Sequence, residues 1–342
     1  MEKILGSALK PMIILAAAVI ALAGLKAVSF LAGPMVLAIL FVAVLRPFYI
    51  FMLGRKVPNG IAVTLTTILF ILILVFLGWV FSLAITETVA IFTQYGDEIK
   101  ANFQALDLFA KELPSYLSSL GGILQSVNLS AITEFVTGLL AAMTAFMAKV
   151  VLVFFLFVFV LTGMPLIMKR MRERFGESHQ LTLKTTSFLD NLARYFVLRT
   201  IVNAVTAVGI ALGCLLLGIP DALVWALLTF VLSYIPYIGM FIACVPPGLI
   251  AFAQGGMSEL AIFVVICVIV NGLAEQVLSP IVTGRGLSIS PAIIFISFLF
   301  WGWLLGEIGY VVAVPMTLIV LLFMNSFKET ARIAYLVSDI PE

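Results

Sequence analysis

Four long apolar runs in the first half of the chain constrain its fold more than any other feature. They cover residues 11–31, 34–53, 60–85 and 150–168. About 20 apolar helical residues are enough to cross a bilayer core about 30 Å thick. Over the whole chain, 63% of residues are hydrophobic and 11% are charged, whereas a soluble domain has about 25% charged residues. The sequence therefore predicts an all-α polytopic membrane protein.

Charged residues are distributed unevenly between the runs, which predicts an orientation. Residues 169–199 contain seven Lys and Arg and three acidic residues, whereas residues 86–148 contain two basic and six acidic residues. Basic residues accumulate on the cytoplasmic side of a membrane. We therefore expect a multi-pass protein of a bacterial-type cytoplasmic (inner) membrane, with both termini in the cytoplasm and residues 86–148 outside. Apolar residues at helical spacing predict amphipathic helices in that outer segment, with breaks at Pro114 and Gly121-Gly122.

The second half contains two apolar stretches, residues 222–253 and 291–323, that are too long for one crossing. As a straight helix, the first stretch would be about 48 Å long. Each has a helix-breaking centre, Ile235-Pro236-Tyr237-Ile238-Gly239 in the first and Gly306-Glu307-Ile308-Gly309 in the second. Proline removes a backbone donor and glycine permits a turn. Each stretch is therefore predicted to bend at its centre.

The two stretches are related by an offset of 70 residues, which aligns Ile238-Gly239 with Ile308-Gly309. An apolar helix precedes each of them, at residues 201–217 and 260–274, and a polar turn is expected over residues 275–290. We interpret each unit as a spanning helix followed by a re-entrant helical hairpin, so that the two units form an inverted repeat. The predicted fold has six full transmembrane helices plus two re-entrant hairpins, and the alternative is eight transmembrane helices of which two are broken. The predicted turn residues are Pro236, Gly239, Gly306, Gly309 and Pro315.

The predicted organisation has five segments, each with a different character. They are three N-terminal transmembrane helices (1–85), an extracytoplasmic amphipathic helical segment (86–148), a fourth transmembrane helix with a basic cytoplasmic segment (149–199), a transport core of two helix-hairpin repeats (200–325) and a cytoplasmic C-terminal tail (326–342).

Polar side chains at membrane depth are costly, so they are candidates for binding a substrate or an ion. Glu307 lies at the centre of the second stretch, and Glu275 lies one helical turn after Asn271 with Gln276 beside it. Either carboxylate could carry a proton or pair with a cation. The structural alternatives are that Glu275 pairs with Arg285 and that Glu307 has a partner such as Arg199 or Asn203. Further candidates to line the same cavity are Asn203, Ser233, Tyr234 and Tyr237.

No pattern in the chain indicates catalysis, a metal site or a cofactor. The three cysteines, Cys214, Cys244 and Cys267, lie in apolar runs without a C-x-x-C pair, and His179 has no ligand at metal-binding spacing. The chain has no phosphate-binding G-x-x-x-x-G-K-[S/T] loop, no H-E-x-x-H and no G-x-S-x-G. The formal net charge of +2 gives no reason to expect a nucleic-acid partner. We therefore expect a protein that is not an enzyme and that uses an ion or substrate gradient.

Three segments together resemble the autoinducer-2 exporter family of transporters. They are the string 235–239, the segment from Glu275 to Pro280 leading to Gly284 and Leu287, and the run from Phe300-Trp301-Gly302-Trp303 through Gly309 to Ala313-Val314-Pro315. The resemblance covers most of the chain and implies a secondary transporter or permease, either an exporter of a small signalling molecule or a cation/proton antiporter, assembled as a homo-oligomer. Glu307 departs from the family pattern, in which an apolar residue or proline is expected.

The leading hypothesis is therefore a carrier that moves a small polar solute, an autoinducer-like molecule or a cation by alternating access. Its expected partners are that solute, the lipid bilayer and Na⁺ or H⁺ as a coupling ion. The alternatives are a passive oligomeric channel and a non-transporting envelope scaffold that uses residues 86–148.

Overall fold

The computed structural model describes residues 2–112, 129–176, 179–235, 238–283 and 291–324. All regular elements in these ranges are helices, in agreement with the predicted all-α fold. They are α1 (Glu2–Ala27), α2 (Ser29–Gly54), α3 (Asn59–Gln94), α4 (Gly96–Glu112), α5 (Leu129–Phe175), α6 (Gln180–Leu216), α7 (Ala222–Leu232), α8 (Ile238–Gly272), a π-helix (Leu273–Leu278), α9 (Ser279–Thr283), α10 (Pro291–Leu305) and α11 (Glu307–Met324).

Among the described residues, five helical segments are long and apolar enough to cross a membrane. They are Ser29–Gly54, Asn59–Gln94, Ser130–Phe175, Leu189–Leu216 and Ile238–Ile281. Shorter apolar helices occupy Ala222–Leu232, Ala292–Leu305 and Glu307–Leu321. Their length and composition are those of a polytopic membrane protein, as predicted.

The first two helices meet at a different point from the predicted one. The break lies at Val28, so the predicted break between residues 31 and 34 is wrong and Pro34 lies inside α2. Pro34 is the sixth residue of α2, beyond the first turn, so it removes one donor from the helix ladder while the helix continues on both sides of it. Gly33 beside it is buried, and a Cβ atom there would lie 3.1 Å from the Leu305 carbonyl oxygen. This close approach explains why residue 33 of the helix is a glycine.

Two other helices are longer than the apolar runs that predicted them. α3 continues past residue 85 to Gln94, and α5 begins at Leu129, well before residue 150. Thr88 and Ile91 on the α3 extension are both 2% exposed. Packing of one helix face therefore extends these helices where hydropathy alone no longer indicates a span. The predicted breaks at Pro114 and Gly121-Gly122 lie outside the described residues.

Residues 222–254 fold back on themselves as the first hairpin, made of α7 and the first arm of α8. The Gln254 side-chain amide donates to the Gly218 carbonyl oxygen at 3.4 Å. A straight helix over this stretch would instead separate its ends by about 50 Å. Helix α8 then breaks at Gly255 and at Gly256, where φ is 64°. The stretch therefore folds as a hairpin, and a separate helix follows it.

The second hairpin consists of α10 and α11, which are separated at Gly306. Its φ of 70° lies in the left-handed region that favours glycine. The Trp301 indole N–H donates to the Thr317 hydroxyl at 3.0 Å, and the ring centroids of Phe298 and Tyr310 are 4.4 Å apart. These contacts hold the two arms against each other.

The helix after the first hairpin does not end where the sequence suggested. We predicted a polar turn from residue 275, but the backbone continues as a π-helix to Leu278 and as α9 to Thr283. Glu275 does not terminate the helix because its carboxylate is paired inside the protein, so it needs no solvent. Residues 284–290 lie outside the described part of the chain.

The chain divides into two compact units. One combines Met1–Thr66, Lys149–Ala193 and Ile289–Glu342, and it contains the second hairpin. The other combines Thr67–Ala148 and Arg194–Ser288, and it contains the first hairpin. The core of this second unit buries Trp225 and Phe263 at 1% exposure.

Candidate functional site

A buried ion pair beside the first hairpin forms the centre of the candidate site. The guanidinium of Arg199 donates to both carboxylate oxygens of Glu275, at 2.7 and 3.0 Å. The two side chains are only 7% and 10% exposed. This two-point geometry suits the planar guanidinium and leaves neither charge unpaired. The predicted alternative pair of Glu275 with Arg285 is replaced by this one, and Arg285 lies outside the described residues.

Arg199 also holds the tip of the first hairpin. Its Nε and Nη2 atoms donate to the Ser233 carbonyl oxygen at 3.2 and 2.6 Å. Ser233 is the residue directly after α7, where the last carbonyl groups of a helix lack backbone donors. One guanidinium therefore joins three elements, namely α6, the hairpin tip and the π-helix that contains Glu275. π-Helical turns often mark functional sites.

Other candidate residues surround the same hairpin tip. Asn203 follows Arg199 by one helical turn and is fully buried, and its amide donates to the Phe230 carbonyl oxygen at 3.4 Å. The hydroxyl groups of Tyr234 and Thr200 are 2.7 Å apart. The structure therefore brings Asn203 and Tyr234 together with Glu275.

The remaining candidates near this hairpin have different positions. Asn271 is half-buried in α8, whereas Gln276 is exposed, and no described contact joins either to the ion pair. Pro236 and Tyr237 lie outside the described residues.

Glu307 begins α11 at the tip of the second hairpin and forms an ion pair with Lys149 of α5. The expected partners Arg199 and Asn203 are thus replaced, because Lys149 supplies the opposite charge. The side chains are 34% and 43% exposed, so this pair is far more accessible than the Arg199–Glu275 pair. The helix N-terminus also favours a carboxylate at this position.

Two glycines 70 residues apart permit the arms of each hairpin to meet. A Cβ atom on Gly239 would overlap the Leu232 carbonyl oxygen, and one on Gly309 would overlap the Trp301 carbonyl oxygen. The same requirement at equivalent positions gives the repeat a physical cause. Pro315 is buried within α11.

Two charged side chains of the candidate site, Arg199 and Lys149, are not among the residues that the sequence predicts to bind a substrate or an ion. Arg199 was read as part of the basic cytoplasmic segment, although it directly precedes an apolar run. A charged residue at such a boundary can turn into the protein instead of toward water. Lys149 is the last residue before the fourth apolar run, and that position was the available signal.

An apolar cavity of about 260 Å³ lies between α4 and α8 in the same unit as the first hairpin. Apolar side chains such as Phe103, Leu249 and Phe263 line it, together with Cys244 and Cys267. The residues of the ion pair do not contribute to this lining. The cavity is therefore separate from the polar groups at the hairpin tip. The three cysteines are free thiols and are buried.

Comparison with known proteins identifies the family. Residues 14–329 match the model of the AI-2E family transporter. The AI-2 transport protein TqsA of Escherichia coli (strain K12) is 27% identical over 332 residues, which cover 97% of this chain and 96% of TqsA. YhhT of the same strain is 28% identical over 322 residues, 94% of this chain and 92% of YhhT. YueF of Bacillus subtilis (strain 168) is 27% identical over 324 residues, 90% of this chain and 86% of YueF.

The family match covers both hairpins and both ion pairs. Its members are described as transporters and not as enzymes. The long apolar helices give the chain the architecture that membrane transport requires. The chain therefore belongs to the AI-2E transporter family and is a multi-pass membrane transport protein.

Proposed function

We propose that this protein is a secondary transporter that moves a small polar molecule or a cation across the cytoplasmic membrane by alternating access. The observation that best supports this proposal is the contact of the buried Arg199–Glu275 pair with the Ser233 carbonyl oxygen. A charged pair in an apolar interior is costly, so it is expected at a functional site. Here it holds the tip of a hairpin, the element that would have to move.

Both hairpins are proposed to enter the membrane without crossing it. Their arms of 11 to 18 residues are about 16–27 Å long at 1.5 Å per residue, which is shorter than a bilayer core of about 30 Å. The ends of the first hairpin meet at Gly218 and Gln254. This geometry suits a loop that dips into the membrane and returns to the same side.

Each hairpin tip is restrained by a charged side chain of a neighbouring helix. Arg199 holds the carbonyl group of Ser233, and Lys149 holds the carboxylate of Glu307. A polar solute or a cation that competes for one of these groups would release the hairpin. In this mechanism the solute opens its own path on one side while the other hairpin stays closed.

The proposal includes several further properties, which rest on the sequence alone. Both termini lie in the cytoplasm, Na⁺ or H⁺ couples transport, and the protein works as a homo-oligomer. The name of TqsA describes AI-2 transport, so we propose a small polar signalling molecule as a first substrate to test, by export or by antiport.

Counterflow in proteoliposomes tests the carrier mechanism. Vesicles loaded with unlabelled autoinducer-2, or with each of a panel of small polar solutes, receive a trace of the labelled solute outside. A carrier should accumulate the label transiently and saturably, and Glu275→Gln should reduce this accumulation at least tenfold. Gly163→Ala is the control, because a Cβ atom there meets nothing within 4 Å.

Flux that does not saturate, together with single-channel currents, would show a pore and contradict the carrier proposal. Unchanged counterflow in Glu275→Gln would show that transport does not need the buried ion pair.

A further inference from the structure

Three buried side-chain oxygens at the first hairpin have no hydrogen-bond partner among the described residues. They are Asn203 Oδ1, Thr229 Oγ1 and Ser233 Oγ. Their residues are 0%, 0% and 4% exposed. A buried polar group without a partner costs about 1–3 kcal/mol, so three together require an explanation. A bound ligand that contacts all three oxygens would provide that explanation.

The three residues lie on two helices that face each other. Thr229 and Ser233 are four residues apart, so they share one face of α7 and its end. Asn203 on α6 reaches the same level, because its amide nitrogen contacts the carbonyl oxygen of Phe230 at 3.4 Å. The side chains therefore converge on one seam between α6 and the hairpin.

The backbone adds a fourth oxygen to this seam. The N–H groups of Ser233, Tyr234 and Ile235 donate to the carbonyl oxygens of Thr229, Val231 and Leu232, respectively. The Phe230 carbonyl oxygen accepts none of these three bonds, and among the described residues the one contact given for it is the long one from Asn203. It is an acceptor left over where the helix ends.

The hydroxyl groups of Thr229 and Ser233 also differ from other hydroxyls in the helices. Thr66, Thr200 and Thr206 each donate to the carbonyl oxygen four residues earlier. Thr229 and Ser233 make no such bond. Their oxygens remain available as ligands in the seam.

We infer that these four oxygens form a binding site for a small monovalent cation such as Na⁺. Hard cations prefer oxygen ligands, including carbonyl and hydroxyl groups. All four ligands are neutral, and the nearby charge of Arg199 is balanced by Glu275, which favours a single positive charge over a divalent ion. A cation would be coordinated by all four oxygens at once, whereas a water molecule would have to accept from both hydroxyl groups and donate to the Asn203 and Phe230 oxygens; the dependence on the cation tells the two apart.

The inference deepens the proposed function, on which it rests for the role of the cation in transport. A cation at this position would link the hairpin tip to α6, in addition to the hydrogen bonds from Arg199 that already hold the tip. Loss of the cation would leave the oxygens unsatisfied and loosen the hairpin. Coupling between the cation and the solute would arise at this tip.

Thermal unfolding of the purified full-length protein in detergent tests the site. Chloride salts of Na⁺, K⁺ and choline are compared at constant ionic strength. A cation that binds only the folded state raises the unfolding temperature with its concentration. We expect Na⁺ to do so relative to choline, and Thr229→Val or Asn203→Leu to raise the half-saturating Na⁺ concentration at least tenfold.

Thr206→Val is the matched control, because its hydroxyl is satisfied by the Val202 carbonyl oxygen. This variant should keep the Na⁺ response of the original protein. Ser233→Ala removes the smallest group and provides a second test if the larger substitutions prevent folding.

The absence of a Na⁺-specific stabilisation in the original protein would overturn the inference and leave water as the partner of these oxygens. An unchanged Na⁺ response in both Thr229→Val and Ser233→Ala would overturn it as well. Na⁺ binding without solute counterflow would support the cation site and contradict the proposed transport, so the two failures are distinguishable.

Discussion

Replacing Glu275 by glutamine should strongly destabilise the folded protein. The substitution keeps the size of the side chain but leaves the Arg199 guanidinium, at 7% exposure, without its counter-charge. Removing one partner of a buried ion pair typically costs about 3–5 kcal/mol. The two bonds of 2.7 and 3.0 Å to separate carboxylate oxygens would be replaced by weaker bonds to a single neutral amide oxygen, because the amide nitrogen cannot accept.

A double substitution separates the ion pair from the rest of the site. Arg199→Met with Glu275→Leu leaves no buried charge, and well-packed apolar residues often replace such a pair at little cost. The Ser233 carbonyl group would still lose its donor, which costs about 1–3 kcal/mol. We therefore expect the double variant to be more stable than either single variant, with a coupling energy of about 2 kcal/mol or more in the cycle.

Unfolding in mixed micelles, followed by tryptophan fluorescence, measures these free energies. Trp225 is 1% exposed in the unit that contains the ion pair, so its emission should change when that unit opens. Glu173→Gln is the control. It removes an exposed pair with Lys169, at 3.7 Å and with side chains 72% and 61% exposed, and should cost no more than about 1 kcal/mol.

A loss in Glu275→Gln as small as that in Glu173→Gln would refute the reasoning. So would a double variant whose loss equals the sum of the two single losses, because the two residues would then be independent.

Two further predictions concern the second hairpin. Gly309→Ala makes a methyl group overlap the Trp301 carbonyl oxygen and should cost about 1–3 kcal/mol or more of unfolding free energy. Gly163→Ala should be close to neutral. Equal losses in the two variants would contradict the close approach at Gly309. Glu307→Gln removes the charge that pairs with the half-exposed Lys149, and this should cost no more than about 1 kcal/mol of unfolding free energy. The variant should nevertheless change the dependence of transport on a proton or cation gradient. An unchanged dependence would show that this carboxylate takes no part in coupling.

The hairpins could be predicted from sequence because their signals are local. An apolar stretch too long for one crossing must bend, and glycine and proline mark the place. Gly239 and Gly309 stand out because the close approach of backbone atoms excludes any side chain at either position. The same physical demand, repeated after 70 residues, makes the repeat visible in a single sequence.

The ion pairs could not be predicted because their partners are far apart in the chain. Arg199 and Glu275 are separated by 76 residues, and Lys149 and Glu307 by 158. Hydropathy indicates that a charge is costly at membrane depth, but it does not indicate which opposite charge the packing brings near. The end of α3 could not be predicted from hydropathy for a related reason. Buried residues such as Thr88 and Ile91 extend the helix into a more polar segment.

The topology of the first hairpin tests the central claim most directly. Single cysteines placed at Asp221 and Gln254, in a background where the three native cysteines are replaced, are labelled with a membrane-impermeant maleimide in right-side-out and inside-out vesicles. A re-entrant hairpin predicts that both positions react from the same side, the outside. Labelling of the two positions from opposite sides would show a full crossing and contradict the account.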